Sequence, residues 1–246
     1  MSKVYIFDVD GTLTKSRQKM TENFAKFFDG WSNKNKYYLV TGSDLPKLKE
    51  QIPIAYVDRA QGIFTCCGNQ FYTNKDYNLK LEYENRFNPP EDLIDYLKEQ
   101  LEDSNYSVRT GNHIENRGSM INFSVIGRDC NYEQRLDYYD WDKKNNERKK
   151  IVKGIEFGWP ELDAVIGGQI SIDIYPKGND KSQVLKHIEE IENFYCPDEY
   201  IFIGDKMREG GNDYPLAKIM YETSHCSALQ TLGPENTQKY LENIID

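Results

Sequence analysis

Three short β-rich runs, Val4–Phe7, Tyr37–Val40 and Tyr200–Ile203, are apolar or aromatic throughout and stop abruptly at polar residues. A strand with no polar face has to be buried on both sides. Segments of helical periodicity lie between and before these runs, and strand, helix, strand, helix selects a parallel sheet covered by helices. In open sheets of that kind, ligands bind just beyond the carboxyl ends of the strands. The residues at those places are Asp8-Val9-Asp10-Gly11, Thr41-Gly42-Ser43 and Gly204-Asp205.

The helices can be read on either side of an interruption. Thr21–Phe28 sets Phe24, Phe27 and Phe28 on one face. Asp44 is placed to cap the helix after the second strand, with Pro46 in its first turn. Lys181–Phe194 reads as an amphipathic helix, Gly210–Asp213 as a loop, and Asn236–Ile245 as a final helix. The middle lacks regular βαβ spacing. Leu79–Tyr83 and Gln169–Tyr175 read as strands, and Met120–Ile126 is apolar and β-branched. Pro89-Pro90-Glu91 opens a helix to about Leu101, and Tyr132–Lys150 reads as a charge-rich helix. The expected fold is α/β: a parallel-sheet, Rossmann-like core from residues 1–81 and 180–246, with an inserted α+β cap domain over 82–179. The charged run Asp142–Lys150 reads as a solvated helix face.

Charge narrows the partners. With a net charge of −9 and a pI near 5.0, nucleic acid is not expected as a partner. No stretch approaches the length of a membrane span, and Val4–Phe7 is too short for a secretory h-region, so a cytoplasmic protein is expected. Cys66, Cys67, Cys130, Cys196 and Cys226 form no CxxC pair and read as free thiols, each behaving as a small apolar residue. An acidic chain that takes an anionic substrate needs a local basic pocket.

Asp8 and Asp10 can both approach one site from a loop, and local pairing does not neutralise two carboxylates, so a cation is expected. Mg²⁺ suits a few carboxylates with phosphate oxygens and water. One carboxylate can attack phosphorus while the other moves a proton to and from the transferring oxygen. Thr41 and Ser43 can hydrogen-bond a phosphoryl oxygen, and Lys181 can balance charge on nucleophile and phosphate. Asp205 and Asp213 follow on later loops. Taken alone, Asp-x-Asp-Gly is an ordinary turn; its meaning comes from the company of the other pieces.

The ordered motifs DVDGTLT, TGSD, DK and GDKMREGGND resemble those of the haloacid dehalogenase superfamily of phosphohydrolases and phosphomutases. That resemblance implies Asp8 as nucleophile, Asp10 as general acid/base and Lys181 as the motif-three lysine. It also implies a Mg²⁺ site from Asp8, the Asp10 backbone carbonyl and Asp205, with Asp213 as a ligand or supporting acid. The insert Arg117–Arg128, followed by Glu133-Gln134-Arg135 and Gly167–Pro176, looks like the cap of eukaryotic-type phosphomannomutases. By the same resemblance, Arg17, Arg117, Arg128, Arg135, Ser171 and Asp173 hold the sugar phosphate. Arginine suits a two-pronged grip on phosphate, and i,i+2 spacing puts Ser171 and Asp173 on one face of a strand.

The implied reaction interconverts mannose 6-phosphate and mannose 1-phosphate, with Mg²⁺ and a hexose 1,6-bisphosphate activator. The resemblance also implies a closing cap that keeps water out, a homodimer formed through the cap, and a supply of mannose 1-phosphate for GDP-mannose and glycosylation. Val125, Asn179, Cys67, Thr41 and Ile219 depart from the family's Pro, Trp, Asn, Gly and Asp, the last beside a further cation site. The rival readings are a sugar-phosphate phosphatase on the same fold, which Thr41 favours mildly, and a non-catalytic sugar-phosphate-binding protein.

Overall fold

The computed structural model describes residues 2–75, 78–193 and 197–244. Two compact units divide the chain: residues 1–84 with 180–246, and residues 85–179.

The first unit runs β1 (Lys3–Asp8), α1 (Glu22–Ser32), β2 (Lys36–Val40), α2 (Leu45–Gln51), α3 (Ile54–Arg59), β3 (Gly62–Thr65), β4 (Gln70–Lys75) and β5 (Asn78–Glu84). The second holds α4 (Glu91–Asp103), β6 (Ile114–Asn116), β7 (Ile121–Phe123), α5 (Tyr132–Asn145), α6 (Glu147–Gly158), β8 (Leu162–Gly167) and β9 (Ser171–Pro176). The chain then returns to the first unit with α7 (Gln183–Glu192), β10 (Glu199–Gly204), α8 (Tyr214–Glu222), β11 (Cys226–Gln230) and α9 (Pro234–Ile244).

The first unit's sheet has the order β11-β10-β1-β2-β3-β4-β5. It is parallel from β11 to β3, and β4 and β5 add an antiparallel edge. Alternation along β1 splits the core. Tyr5 and Phe7 point to one face, where Phe24, Phe28 and Trp31 of α1 and Leu241 of α9 pack. Val4 and Ile6 point to the other, against Val184, Leu185 and Ile188 of α7 and Leu216 of α8. Both faces are therefore apolar, as the all-apolar strands require. Phe28 is fully buried and meets Phe7 and Tyr37 edge-on at 5.9 and 5.4 Å, a geometry worth about 0.5–1.5 kcal/mol per pair beyond burial.

The strand at Leu79–Tyr83, read as part of the interrupted middle, is β5 and belongs to the first unit's sheet. The single helix expected over Tyr132–Lys150 breaks in two at Asn146, which adopts the left-handed conformation at φ 53°. The charged run Asp142–Lys150 is solvated at residues 143–146, Lys149 and Lys150, but not throughout. Asp142 and Arg148 are buried, and Arg148 Nε donates to Asp142 Oδ2 at 2.8 Å. The Arg148 backbone N–H donates to Asp142 Oδ1, so Asp142 satisfies the start of α6, where Asn146 gives no side-chain cap. The cysteines also divide. Cys66 and Cys67 are buried and Cys130 and Cys226 half-buried, all four as free thiols, while Cys196 lies outside the described residues.

The second unit's sheet is antiparallel, in the order β6-β7-β9-β8. Ile172 and Ile174 of β9 pack with Leu93 and Leu97 of α4 and Ile151 and Ile155 of α6. Alternation turns Ser171 and Asp173 to the opposite face. Among the described residues, no helix is long and apolar enough to cross a membrane.

Candidate active site

Three parallel strands deliver the site's carboxylates and hydroxyls. Asp8 ends β1, Thr41 and Ser43 follow β2, and Asp205 follows β10. After Asp8 the chain turns through Gly11 at φ +89°, and the Thr12 hydroxyl donates to Asp8 Oδ2 at 3.1 Å. A Cβ on Gly11 would stand 2.3 Å from Asp205 Oδ2, so the absence of a side chain lets the Asp205 carboxylate lie against this loop.

Lys181, expected as the first residue of a helix, lies in the turn before α7. Its placement follows from α7's docking. Val184, Leu185 and Ile188 bury the helix face, each worth roughly 1.5–3 kcal/mol. At the far end Glu192 accepts from Lys36 Nζ at 3.1 Å and from the Tyr38 hydroxyl at 2.8 Å. The fully buried Lys181 ammonium donates to Asp8 Oδ1 at 2.6 Å and to Asp213 Oδ1 at 2.7 Å. Burial alone would lower the Lys181 pKa, but the charges of Asp213 and Asp8 outweigh it and hold the ammonium well above its ordinary value. Asp213 Oδ2 accepts the backbone N–H groups of Asp205 and Lys206 at 3.1 and 2.9 Å. One carboxylate thus ties Lys181 to the loop that carries Asp205.

The carboxylates outnumber the cations. Burial pushes the Asp8 carboxyl well above the usual range; the charges of Asp213 and Asp205 add to this and Lys181 opposes it. Burial also raises Asp205, to about 7, with Asp213 adding and Lys206 and Lys181 opposing. Oxygens of Asp8, Asp205 and Asp213 lie within 4.8 Å of one another. A hard divalent cation fits this all-oxygen donor set and would supply the missing positive charge. Asp8, Asp205 and Asp213 would be the residues to hold it; Asp8 and Asp213 already accept from Lys181, and Asp213 from two backbone N–H groups as well.

Asp10 is held differently. Its Oδ1 accepts from the Arg17 backbone N–H at 2.8 Å and from Gln51 Nε2 at 2.9 Å, and the Ser43 hydroxyl donates to Oδ2 at 3.4 Å. Arg17, at φ +62°, meets Asp10 through its backbone. The buried Thr41 hydroxyl accepts from the Ser43 backbone N–H at 3.0 Å, which fixes the Thr41–Ser43 turn. Sequence reasoning missed Gln51. A glutamine at the end of a short helix carries no mark of its role; only its burial and its aim at Asp10 reveal it.

The second unit holds its own cluster. Glu115 lies between two guanidiniums, 2.7 Å from Arg117 Nη2 and 3.4 Å from Arg128 Nε. Arg128 Nη1 also donates to the Ser171 hydroxyl at 2.8 Å. On the same face of β9, Asp173 accepts from Asn122 Nδ2 at 2.6 Å across the β7–β9 pair. Arg135 is buried in the first turn of α5, which starts with a reciprocal Asn131/Gln134 cap. Glu115 was also missed from sequence; an acid two residues before an arginine reads as any surface pair. Ile219, at the position of the family's further cation site, packs beside the apolar cluster under α8.

A parallel sheet with a buried aspartate at the end of β1, and a lysine and acids from later loops, is an architecture of the haloacid dehalogenase type. Solved structures agree at the level of fold. An IMP-nucleotidase from Plasmodium falciparum superposes with a TM-score of 0.65 at 16% identity, covering 99% of this chain and 68% of that one. A haloacid dehalogenase-like hydrolase from Bacteroides thetaiotaomicron does so with a TM-score of 0.59 at 14% identity, with both chains covered in full. The family description "eukaryotic phosphomannomutase" matches residues 24–246. A phosphomannomutase of Encephalitozoon cuniculi is 35% identical over 98% of this chain and 93% of its own length. A phosphomannomutase of Arabidopsis thaliana is 32% identical over 95% and 93%. The chain belongs to the eukaryotic phosphomannomutase family.

Proposed function

We propose that this chain interconverts mannose 6-phosphate and mannose 1-phosphate through a phosphorylated Asp8, with a hexose 1,6-bisphosphate as activator. The observation that carries the reading is the buried Asp8–Lys181–Asp213 chain, at 2.6 and 2.7 Å, in a member of this family. In the first half-reaction an Asp8 carboxylate oxygen attacks phosphorus of the bisphosphate. The phosphorus–oxygen bond to the sugar breaks, and Asp10 gives its proton to the departing oxygen. In the second, a hydroxyl of the monophosphate attacks the phosphoryl group on Asp8. Asp10 takes that hydroxyl's proton, and Asp8 is released as a carboxylate.

Lys181 stays charged throughout and faces the nucleophile, so it offsets the negative charge gathered there. Gln51, the Arg17 backbone and Ser43 hold the Asp10 carboxylate in one place while its proton comes and goes. Asp8, the Asp10 backbone carbonyl and Asp205 are the groups assigned to Mg²⁺, which would neutralise phosphoryl oxygens. Asp213 is assigned as a supporting acid. In the second unit Arg117, Arg128 and Arg135, with Ser171 and Asp173, are assigned to the phosphate that is not reacting, and Arg17 and Thr41 to substrate beside Asp8. A cytoplasmic homodimer that supplies mannose 1-phosphate for GDP-mannose and glycosylation belongs to the same reading.

The test mixes the protein with Mg²⁺, mannose 1-phosphate and a trace of glucose 1,6-bisphosphate and follows ³¹P signals. Mannose 6-phosphate should grow with little free phosphate, and Asp8→Asn should abolish it. Free phosphate as the sole product would replace the mutase with a sugar-phosphate phosphatase.

A further inference from the structure

At the opposite end of the first unit's sheet, a second set of metal-ligating side chains converges. Glu189 lies on α7, His225 just before β11, and Cys226 opens β11. A carboxylate oxygen, an imidazole nitrogen and a sulfur from these three lie within 4.8 Å of one another. His225 Nε2 stands 3.0 Å from Glu189 Oε1. The backbone around them is fixed: the Tyr200 N–H donates to the His225 carbonyl at 3.0 Å, and the Cys226 N–H to the Thr223 carbonyl at 3.1 Å. Cys226 pairs in register with Tyr200 at the beginning of β10, whereas Asp205 follows that strand's end. Five strand residues, roughly 16 Å, therefore separate this set from the carboxylates at Asp8.

The donor chemistry differs from that of the all-oxygen site. Thiolate, imidazole and carboxylate together suit a borderline divalent cation such as Zn²⁺, while Mg²⁺ takes oxygen ligands. Bonds of roughly 2.0–2.3 Å in a tetrahedron put neighbouring ligand atoms roughly 3.3–3.8 Å apart. The existing spacing needs only a small closure, and a half-exposed Glu189 side chain on a helix surface can supply it by rotamer change. The surroundings are anionic. Glu189 and Glu199 both lie close enough to act electrostatically on Cys226, and their negative charge favours a cation there. Binding then releases the thiol proton to solvent as sulfur bonds the metal.

We propose that Glu189, His225 and Cys226 form a Zn²⁺-class site with three protein ligands and one position left to water, clipping α7 to the edge strand β11. The site is accessible: the His225 and Glu189 side chains are 44% and 36% exposed.

The experiment titrates Co²⁺, then Zn²⁺, into the full chain after chelator treatment and removal of the chelator. A thiolate-bound tetrahedral Co²⁺ gives strong visible bands and a near-ultraviolet sulfur-to-metal band, which cobalt held by carboxylates and water at the Asp8 site does not. Those bands should appear at one equivalent, bleach when Zn²⁺ is added, and vanish in Cys226→Ser. His225→Ala and Glu189→Gln should each weaken Co²⁺ binding about tenfold or more, with ³¹P-monitored turnover in Mg²⁺ unchanged. Absence of the near-ultraviolet band, or its survival in Cys226→Ser through another thiol, overturns the proposal.

Discussion

Gly11→Ala separates folding from metal binding at one position. The added methyl would lie 2.3 Å from Asp205 Oδ2 and 2.7 Å from its Cγ, but 3.3 Å from its Cβ. The carboxylate has to swing by about 1 Å or more to reach ordinary contact, while its Cβ and backbone stay. Little opposes that swing, because the closest ion-pair partner of Asp205, Lys206 Nζ, is 3.9 Å away. The fold therefore loses mainly the cost of a non-glycine residue at φ +89°, about 1–2 kcal/mol. Metal binding should lose more, because the displaced group is one of the two carboxylates proposed to hold the cation. Even outer-shell changes weaken metal sites by about 10–100-fold, so the Mg²⁺ concentration for half-maximal turnover should rise by at least that factor. Urea denaturation gives the first number and Mg²⁺ titration of mutase activity the second. In an Asp205→Ala background, Gly11→Ala should still cost its backbone strain but add nothing to the Mg²⁺ requirement. A single variant with unchanged Mg²⁺ dependence, or an equal loss in the Asp205→Ala background, would refute the steric argument.

Gln51→Leu should lower kcat by about 10–100-fold with little change in KM, since it removes one hydrogen bond to the Asp10 carboxylate, worth about 1.5–3 kcal/mol; a lower melting temperature with normal kcat would reduce Gln51 to a packing residue. Arg128→Ala should lower kcat/KM for hexose phosphate by about 10–100-fold through loss of a charge-assisted contact, and near-wild-type kinetics would remove Arg128 from the substrate. Arg148→Met should destabilise the second unit by about 3–5 kcal/mol, because it strands the buried Asp142 carboxylate, whereas Asp142→Leu with Arg148→Met should recover most of that loss. Tryptophan fluorescence reports it, Trp141 and Trp159 lying in that unit, and a double variant no more stable than the single one would contradict the pairing argument. Excess EDTA should stop turnover and added Mg²⁺ restore it; full activity in the chelator would exclude a divalent cation from the reaction.

The parts of the site that were legible in sequence share one property: each is tied to the end of an apolar strand. Asp8, Thr41 and Asp205 follow runs whose burial is plain from their residues, so the sheet's geometry carries them to one edge. Asp44 announces its helix through a side-chain cap, which accepts from Lys47, while Thr21, read as helical, is itself the cap of α1 and accepts from Phe24. Legibility fails where the deciding contact joins distant or unremarkable residues. Gln51 and Glu115 are known by what they touch. The antiparallel edge of β4 and β5 extends a sheet whose parallel part alone shows βαβ spacing, so a first boundary expected at residue 81 falls inside β5, which ends at Glu84.

Asp142 and Arg148 show why charge content alone misleads. Six residues apart across a helix break, they share no helix face in a continuous reading, and a run with so many lysines looks solvated. The left-handed residue at Asn146 breaks the helix, and the two side chains meet across the break. Arg148 Nη1 then lies 3.3 Å from the carbonyl oxygen of Ser171, on the strand whose hydroxyl receives Arg128. A buried ion pair of this kind adds little net stability over an apolar replacement. Its value here is positional: it fixes α6 and the start of β9 in one register, and with them the Ser171 hydroxyl that aims Arg128. The double variant tests this directly. If Asp142→Leu with Arg148→Met restores stability but leaves kcat/KM lowered, the pair serves the arginine cluster; if both return together, it serves packing alone.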